Sequence, residues 1–430
     1  MKQESQKIKP IRKIEGEINI PGDKSISHRA VMLSAIASGN TSIRNFLMAE
    51  DCIATINAFK NMGVSVDAGE IVKIKGRGLK GLKKPKTKLY LGNSGTSMRL
   101  LLGMLAGQGF EAILTGDESL SSRPMKRVTV PLRKMGARIE GKDDANFAPL
   151  EVHGGALQAI AYDSPIPSAQ VKSAILLAGL YAKGATSVSE PMKSRDHTER
   201  MLKLFGADIT LDGLKVSVNE SQGLKARNID VPGDISSAAF FIIAALLLDG
   251  SKITLRHVGV NETRTGIIDI LRRMGGKIEV KIVRNDWEPI ADITVSSGPL
   301  QGTTIAKEEI PRSIDELPAL MIASTFAKGR TVIKGAGELR VKETDRIESM
   351  RSNLKKMGGD LLNEGDDIVI QGRDDLIGAE LSSFGDHRTA MAMAIAALRA
   401  SGDSTINDIA CVSTSFPKFF DILKSISVTK

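Results

Sequence analysis

The sequence predicts an α/β (α+β) protein of two similar domains, each made of three βαβαββ-type repeats with buried parallel helices. Three observations lead to this class. One pattern recurs six times, at intervals of about 65–80 residues, longer than most solenoid periods. Each repeat holds a helix that is apolar all round, the composition of a buried helix rather than a surface one. Each also holds an amphipathic helix, in most repeats followed by alternating segments that read as strands.

The repeats justify the elements in order. They open with PGDKSISHRAVMLSAIASG from Pro21, GNSGTSMRLLLGMLAG from Gly92 and SAQVKSAILLAGLYAKG from Ser168. Then come PGDISSAAFFIIAALLLDG from Pro232, IDELPALMIASTFAKG from Ile314 and GDHRTAMAMAIAALRASG from Gly385. Gly39, Gly107, Gly184, Gly250, Gly329 and Gly402 are expected to be left-handed residues at the helix C-termini. The second helices close in NMG at 61–63, KMG at 134–136, LFG at 204–206, RMG at 273–275 and KMG at 356–358, expected helix stops. ARIEG, ADITLDG and GKIEV then read as strands. The sixth repeat has no strand pair after SFPKFFDILKSI. The segment IRKIEGEINI is expected to complete it while leading into the first repeat. The expected domains are therefore 21–231, and 1–20 with 232–430. A linear solenoid is the alternative, disfavoured by uneven repeat lengths and the lack of capping repeats.

A chain of 430 residues, 42% hydrophobic, can bury a core without disulfides or metal. Its net charge of +9 favours anionic partners. One Trp and three Tyr argue against stacking platforms for single-stranded nucleic acid, so no specific nucleic-acid binding is expected. The densest basic run, Lys80 to Lys88, reads as a solvated loop. Cys52 and Cys411 are far apart, with neither a disulfide framework nor metal-ligand spacing. The first twenty residues have no signal-peptide core, and the longest apolar run, Ala238 to Leu248, is too short to span a bilayer. A cytoplasmic protein without membrane partner, metal or cofactor is expected.

Parallel inner helices would gather their N-termini, which carry unpaired N–H groups and partial positive charge and so suit anions. Polar residues mark these ends: Lys24, Ser25 and Arg29; Asn93 to Thr96 and Arg99; Ser168, Gln170 and Lys172; Asp315 and Glu316; Asp386 to Arg388. Asp234 to Ser237 is expected to cap, and Ser237 and Thr96 taken singly read as ordinary caps. Lys24, Arg29 and Arg388 do not, because a cation in the first turn opposes the helix dipole unless an anion is bound. Three clusters lie in the amphipathic layer: SSRPMKR with Arg123 and Arg127, SRDHTER with Arg195, His197 and Arg200, and RVKETDR with Arg340 to Arg346. Surface ion pairs would explain the last equally well. No GxSxG, Walker A or Cys–His arrangement occurs, and GNSGTS lacks the lysine of a phosphate loop.

In order and over essentially the whole chain, PGDKSISHRA, GNSGTSMRLL, SRPM, PSAQVKSA, RVKETDR and GDHRTAMA resemble the 5-enolpyruvylshikimate-3-phosphate synthase (3-phosphoshikimate 1-carboxyvinyltransferase) family. The resemblance implies an enolpyruvyl transferase-like fold whose two domains close on the substrates, shikimate 3-phosphate and phosphoenolpyruvate. It implies a monomer without cofactor. Shikimate 3-phosphate would be held by Lys24, Ser25, Arg29, Ser168, Ala169, Gln170, Arg195, Asp315 and Lys342. Phosphoenolpyruvate would be held by Lys24, Gly95, Arg123, Gln170, Arg346 and Arg388. Catalysis would fall to Asp315, Lys342, Glu343 and Lys24. SRDHTER, and Thr414–Ser415 before Phe416–Pro417, resemble the glyphosate-tolerant class, in which Arg195 would touch shikimate 3-phosphate. Gly95 is the small residue of sensitive members. The related UDP-N-acetylglucosamine enolpyruvyl transferases usually carry a cysteine in the loop before the RP motif. Here that loop reads GDESLSSRPM, which disfavours this alternative.

Overall fold

The structure is a computed structural model that describes residues 4–429. By their contacts these divide into two compact units: Gly22–Val231, and the chain on either side of it. Residues 1–3, part of the segment expected to pack with the C-terminal half, lie outside the described residues.

The Gly22–Val231 unit contains helices α1 (Lys24–Ile36), α2 (Glu50–Asn61), α3 (Gly95–Ala106), α4 (Lys126–Lys134), α5 (Ala169–Gly179) and α6 (His197–Leu204). The odd-numbered helices are the apolar ones and are buried along most of their length. A Cβ on Gly103 would lie 2.1 Å from the Ala174 carbonyl oxygen, so glycine is what lets α3 and α5 approach so closely. Three four-stranded sheets share one pattern. A parallel pair opens each and two antiparallel strands follow: Ile229–Asp230, Asn40–Arg44, Val72–Lys75 and Ser65–Ala68 in the first. The other two are built alike around Glu111–Thr115 and Ala185–Ser189. The strand Ile229–Asp230 comes from the end of the unit and pairs with the first repeat. The three repeats therefore close on themselves, which rules out a linear solenoid. Lys80, Lys83, Lys84, Lys86 and Lys88 lie exposed on a loop without regular structure.

The second unit contains α7 (Ile235–Leu247), α8 (Gly266–Arg273), α9 (Leu317–Thr325), α10 (Arg346–Lys356), α11 (His387–Leu398) and α12 (Phe419–Ile426). Again the apolar α7, α9 and α11 are buried. The Phe416 and Phe419 rings pack 5.9 and 5.5 Å from Phe241 of α7, which seats the last helix on the core. The N-terminal segment departs from expectation in one respect. Ser5–Ile8 is the strand that completes the sixth sheet, beside Ser404–Asn407. Lys13–Asn19, from within IRKIEGEINI, instead enters the fourth repeat's sheet between Lys252–Gly259 and Ser427–Val428. Strand alternation identifies a strand but not its partner.

The glycines behave in two ways. Gly63, Gly136, Gly206, Gly275 and Gly358, at the ends of the amphipathic helices, all have φ between +81° and +96°, as helix stops require. The inner-helix glycines differ. Gly39, Gly184, Gly250, Gly329 and Gly402 have positive φ but lie a few residues beyond the helix ends. Gly107 does cap α3, yet with φ −92°. It is glycine because a Cβ would lie 2.2 Å from the Tyr181 ring. Among the described residues, no helix is long and apolar enough to cross a membrane.

Candidate active site

The expected site residues fall into one set in each unit, mostly at inner-helix starts. In the Gly22–Val231 unit, Asp23 caps α1 by accepting from the Ile26 N–H at 2.8 Å. Lys24 follows, with Nζ 2.5 Å from Asp51 Oδ2 in the first turn of α2. This corrects the expectation that only a bound anion could offset the Lys24 charge. Arg29 lies one turn further in, rather than in the first turn. It donates to the Ser25 carbonyl at 2.9 Å, Thr198 Oγ1 at 2.6 Å and Ser173 Oγ at 2.9 Å, tying α1 to α5 and α6. Between them His28 is fully buried, with Nδ1 2.7 Å from Thr55 Oγ1. Burial, reinforced by Lys24 and Arg29, pushes its imidazole well below the ordinary 6.5, so it is neutral.

Ser94, not Thr96, caps α3, accepting from the Ser97 N–H at 3.1 Å. A Cβ on Gly95 would come to 3.0 Å of both Arg123 Nη1 and Arg99 Nη1. Gly95 thus leaves room for two guanidinium groups over the first turn of α3. Arg123 also donates to Asn93 Oδ1. Arg99, read from the sequence as one of the residues marking this helix start, donates to Gln170 Oε1 at 2.6 Å, and Gln170 donates to Thr96 Oγ1 at 3.0 Å. These bonds bring Gln170, at the start of α5, to the start of α3. Ser168 caps α5, Ala169 is its first residue, and Arg195 lies half-buried just before α6.

In the second unit, Asp234 caps α7 by accepting from the Ser236 N–H at 2.9 Å, within the Asp234–Ser237 stretch expected to cap, while Ser237 itself lies inside the helix. Asp315 precedes α9. Its Oδ1 lies 3.5 Å from Arg346 Nη1 and 3.4 Å from Arg388 Nη2, and its carbonyl accepts from Arg388 Nη1 at 2.7 Å. Arg346 begins α10 and is 1% exposed. It donates to Asp386 Oδ2 at 2.7 Å and Glu343 Oε2 at 2.5 Å. Asp386 is in turn the cap of α11, accepting from the Arg388 N–H at 2.7 Å. Burial opposes the Arg346 charge, but Asp386, Glu343 and Asp315 together hold it protonated above its ordinary value. Lys342 donates to Glu338 Oε1 at 3.0 Å. Its ammonium is pushed below 10.5 by burial, against the pull of Glu338 and Asp315.

Sequence reasoning missed three carboxylates: Asp51 beside Lys24, Glu338 beside Lys342, and Glu190, whose Oε2 lies 2.7 Å from Lys172 Nζ near the start of α5. The acidic first turn Glu50–Asp51 was the only readable signal. Spacing likewise could not show that Glu111, Glu151 and His153 place donor atoms within 4.8 Å of one another on neighbouring strands. There Glu111 is also held by Lys84 at 2.5 Å.

Repeats closed into units, with cations and carboxylates gathered at inner-helix starts, define an enolpyruvyl transferase fold. The solved enolpyruvyl transferase NikO from Streptomyces tendae shares it, at 17% identity and TM-score 0.81 over 99% of this chain and 98% of that one. The family model for EPSP synthase (3-phosphoshikimate 1-carboxyvinyltransferase) matches residues 8–423. The 3-phosphoshikimate 1-carboxyvinyltransferase of Geobacter metallireducens is 52% identical, covering 99% of both chains, and that of Brevibacillus brevis is 50% identical, covering 98% of this chain and 99% of that one. A solved EPSP synthase from Acinetobacter baumannii is 47% identical with TM-score 0.88, covering 99% of each chain. The chain belongs to this family of enzymes.

Proposed function

We propose that this chain transfers the carboxyvinyl group of phosphoenolpyruvate to the 5-hydroxyl of shikimate 3-phosphate, releasing phosphate, with the following division of labour. Lys24, Ser25, Arg29, Ser168, Ala169, Gln170 and Arg195 hold shikimate 3-phosphate. Lys24, Gly95, Arg123, Gln170, Arg346 and Arg388 hold phosphoenolpyruvate, the guanidinium groups by forked hydrogen bonds to its phosphate and carboxylate. Asp315 and Lys342 meet the 5-hydroxyl, and Asp315 takes its proton as the oxygen adds to C2. C3 gains a proton in that step. A proton leaves C3 again when the C2–O bond to phosphate breaks, so an acid is needed at C3 in the first step and a base in the second. Lys24, Lys342 and Glu343 are the groups for that exchange. Fixed cations over the developing charge supply the electrostatic part of catalysis. The product serves chorismate and aromatic amino-acid synthesis, and a cytoplasmic monomer is part of the proposal.

The observation that carries this reading is a family match of nearly full length, in which the charged residues of the matched motifs lie at inner-helix starts and in the amphipathic layer. The test is phosphate release with both substrates, each omitted in turn, and with UDP-N-acetylglucosamine as a rival acceptor. Release that needs both substrates is expected. Turnover with the nucleotide sugar alone as acceptor would overturn the reading.

A further inference from the structure

We propose that Glu190 is a positioning residue that sets the affinity for shikimate 3-phosphate by locking two separate binding segments to each other. The inference rests on the substrate assignment above. Glu190 follows the strand Ala185–Ser189 and is 6% exposed. Its Oε1 accepts from the Ser168 N–H at 3.1 Å and from the Ser194 hydroxyl at 2.6 Å. Its Oε2 accepts from the Ser194 N–H at 3.4 Å and lies 2.7 Å from Lys172 Nζ. Ser168 opens the 168–170 segment, and Ser194 immediately precedes Arg195. One carboxylate therefore fixes where both segments begin.

Beneath it lies a buried ionic layer. Lys172 Nζ is also 2.7 Å from Glu199 Oε1, and the two side chains are only 3% and 2% exposed. Glu199 Oε2 has no hydrogen-bond partner among the described residues. One cation between two carboxylates is a poor source of stability, because desolvating three ions offsets most of their attraction. Its better-attested use is to specify register, and the register it would specify here is that of α5 against α6. Thr198, beside Glu199, and Ser173, beside Lys172, both accept from Arg29. The same layer thus orients a third ligand-binding group. Gln170 has separate bonds to Arg99 and Thr96, and no other group assigned to phosphoenolpyruvate lies in either segment, so phosphoenolpyruvate contacts depend on Glu190 far less than those to shikimate 3-phosphate.

A scaffold that merely stabilised the unit would shift both substrate KM values together. A positioning residue shifts one. The experiment measures steady-state phosphate release for Glu190→Ala and Glu190→Gln in the full chain, varying each substrate. Glu190→Ala loses hydrogen bonds to a charged acceptor and is expected to raise the shikimate 3-phosphate KM about tenfold. The phosphoenolpyruvate KM should stay within about twofold, the scatter of a contact left in place. Glu190→Gln keeps a carbonyl oxygen for Ser168 and Ser194 but turns an amide N–H2 toward Lys172 in place of Oε2, and should raise the shikimate 3-phosphate KM by less, about threefold, with the phosphoenolpyruvate KM in place. Ile175→Val, in the buried face of α5, serves as the stability control, with a lower Tm and an unchanged ratio of the two KM values. If Glu190→Ala does not fold, Glu190→Gln carries the test through the same ratio. A ratio unchanged from the control in the Glu190 variants overturns the inference. No phosphate release by the parent enzyme overturns the substrate assignment itself, and the inference with it.

Discussion

Arg346 shows how one residue can serve structure and chemistry together. Its guanidinium fork reaches Asp386, Glu343 and Asp315, and a lysine cannot hold three carboxylates in that plane. A single ammonium leaves some of these contacts unmade, and a hydrogen bond to a charged group is worth about 1.5–3 kcal/mol. Arg346→Lys should therefore lower both Tm and kcat/KM, the latter by about a hundredfold or more; a variant that lost activity with its Tm intact would show that the fork is used only on ligand. His28 makes a different prediction. Its folded-state value lies below 6.5, so the unfolded chain binds the proton first as pH falls. The stability it contributes is present above about 6.5 and is lost toward the lower folded-state value, at up to about 1.4 kcal/mol per pH unit. Urea titrations of His28→Asn should show a shallower loss in that window, and parallel curves for the two proteins would remove His28 as the cause. Lys24 and Arg388 were legible as unusual cations at helix starts, and Arg29 as a cation of the same inner helix as Lys24. Their partners Asp51 and Thr198 were not, because partnership across elements is not encoded in local spacing.

Among the elements, the helices were the most legible and the strand partners the least. All-round apolar runs identified α1, α3, α7 and α11 because burial on every side leaves no polar face to mislead. The segment IRKIEGEINI was recognisable as a strand, but its place was not, since period-two alternation fixes a face and not a neighbour. The two N-terminal strands differ in position, and that difference has a consequence. Ser5–Ile8 lies at the edge of a three-stranded sheet, whereas Lys13–Asn19 lies inside a five-stranded one. Deleting residues 1–8 should lower Tm while leaving a cooperative transition. Deleting residues 1–19 also exposes the ladder groups of Lys252–Gly259 and the core under Ile14 and Ile18, and should abolish cooperative unfolding by circular dichroism. Equal tolerance of both truncations would contradict the sheet order.

At the scale of the whole molecule, the order of chain and unit matters. One unit is a continuous segment and the other is interrupted by it. The continuous one closes on itself: its last strand, Ile229–Asp230, pairs with Ile43–Arg44 of its first repeat, and Leu224–Lys225 pairs with Ala37–Ser38. Every sheet strand between Gly22 and Val231 finds its neighbours inside that span. A segment of about 210 residues with its own core is within the size of an autonomous domain. Expressed alone, residues 22–231 should give a dispersed amide spectrum and a single cooperative denaturation. It retains most of the groups assigned to shikimate 3-phosphate but lacks Asp315, Lys342 and Arg388. It should therefore show a thermal shift with shikimate 3-phosphate and no phosphate release with the two substrates together. A collapsed spectrum would mean that closure of the repeats is insufficient for folding. A folded segment without any shift would place the shikimate 3-phosphate determinants in the interrupted unit instead.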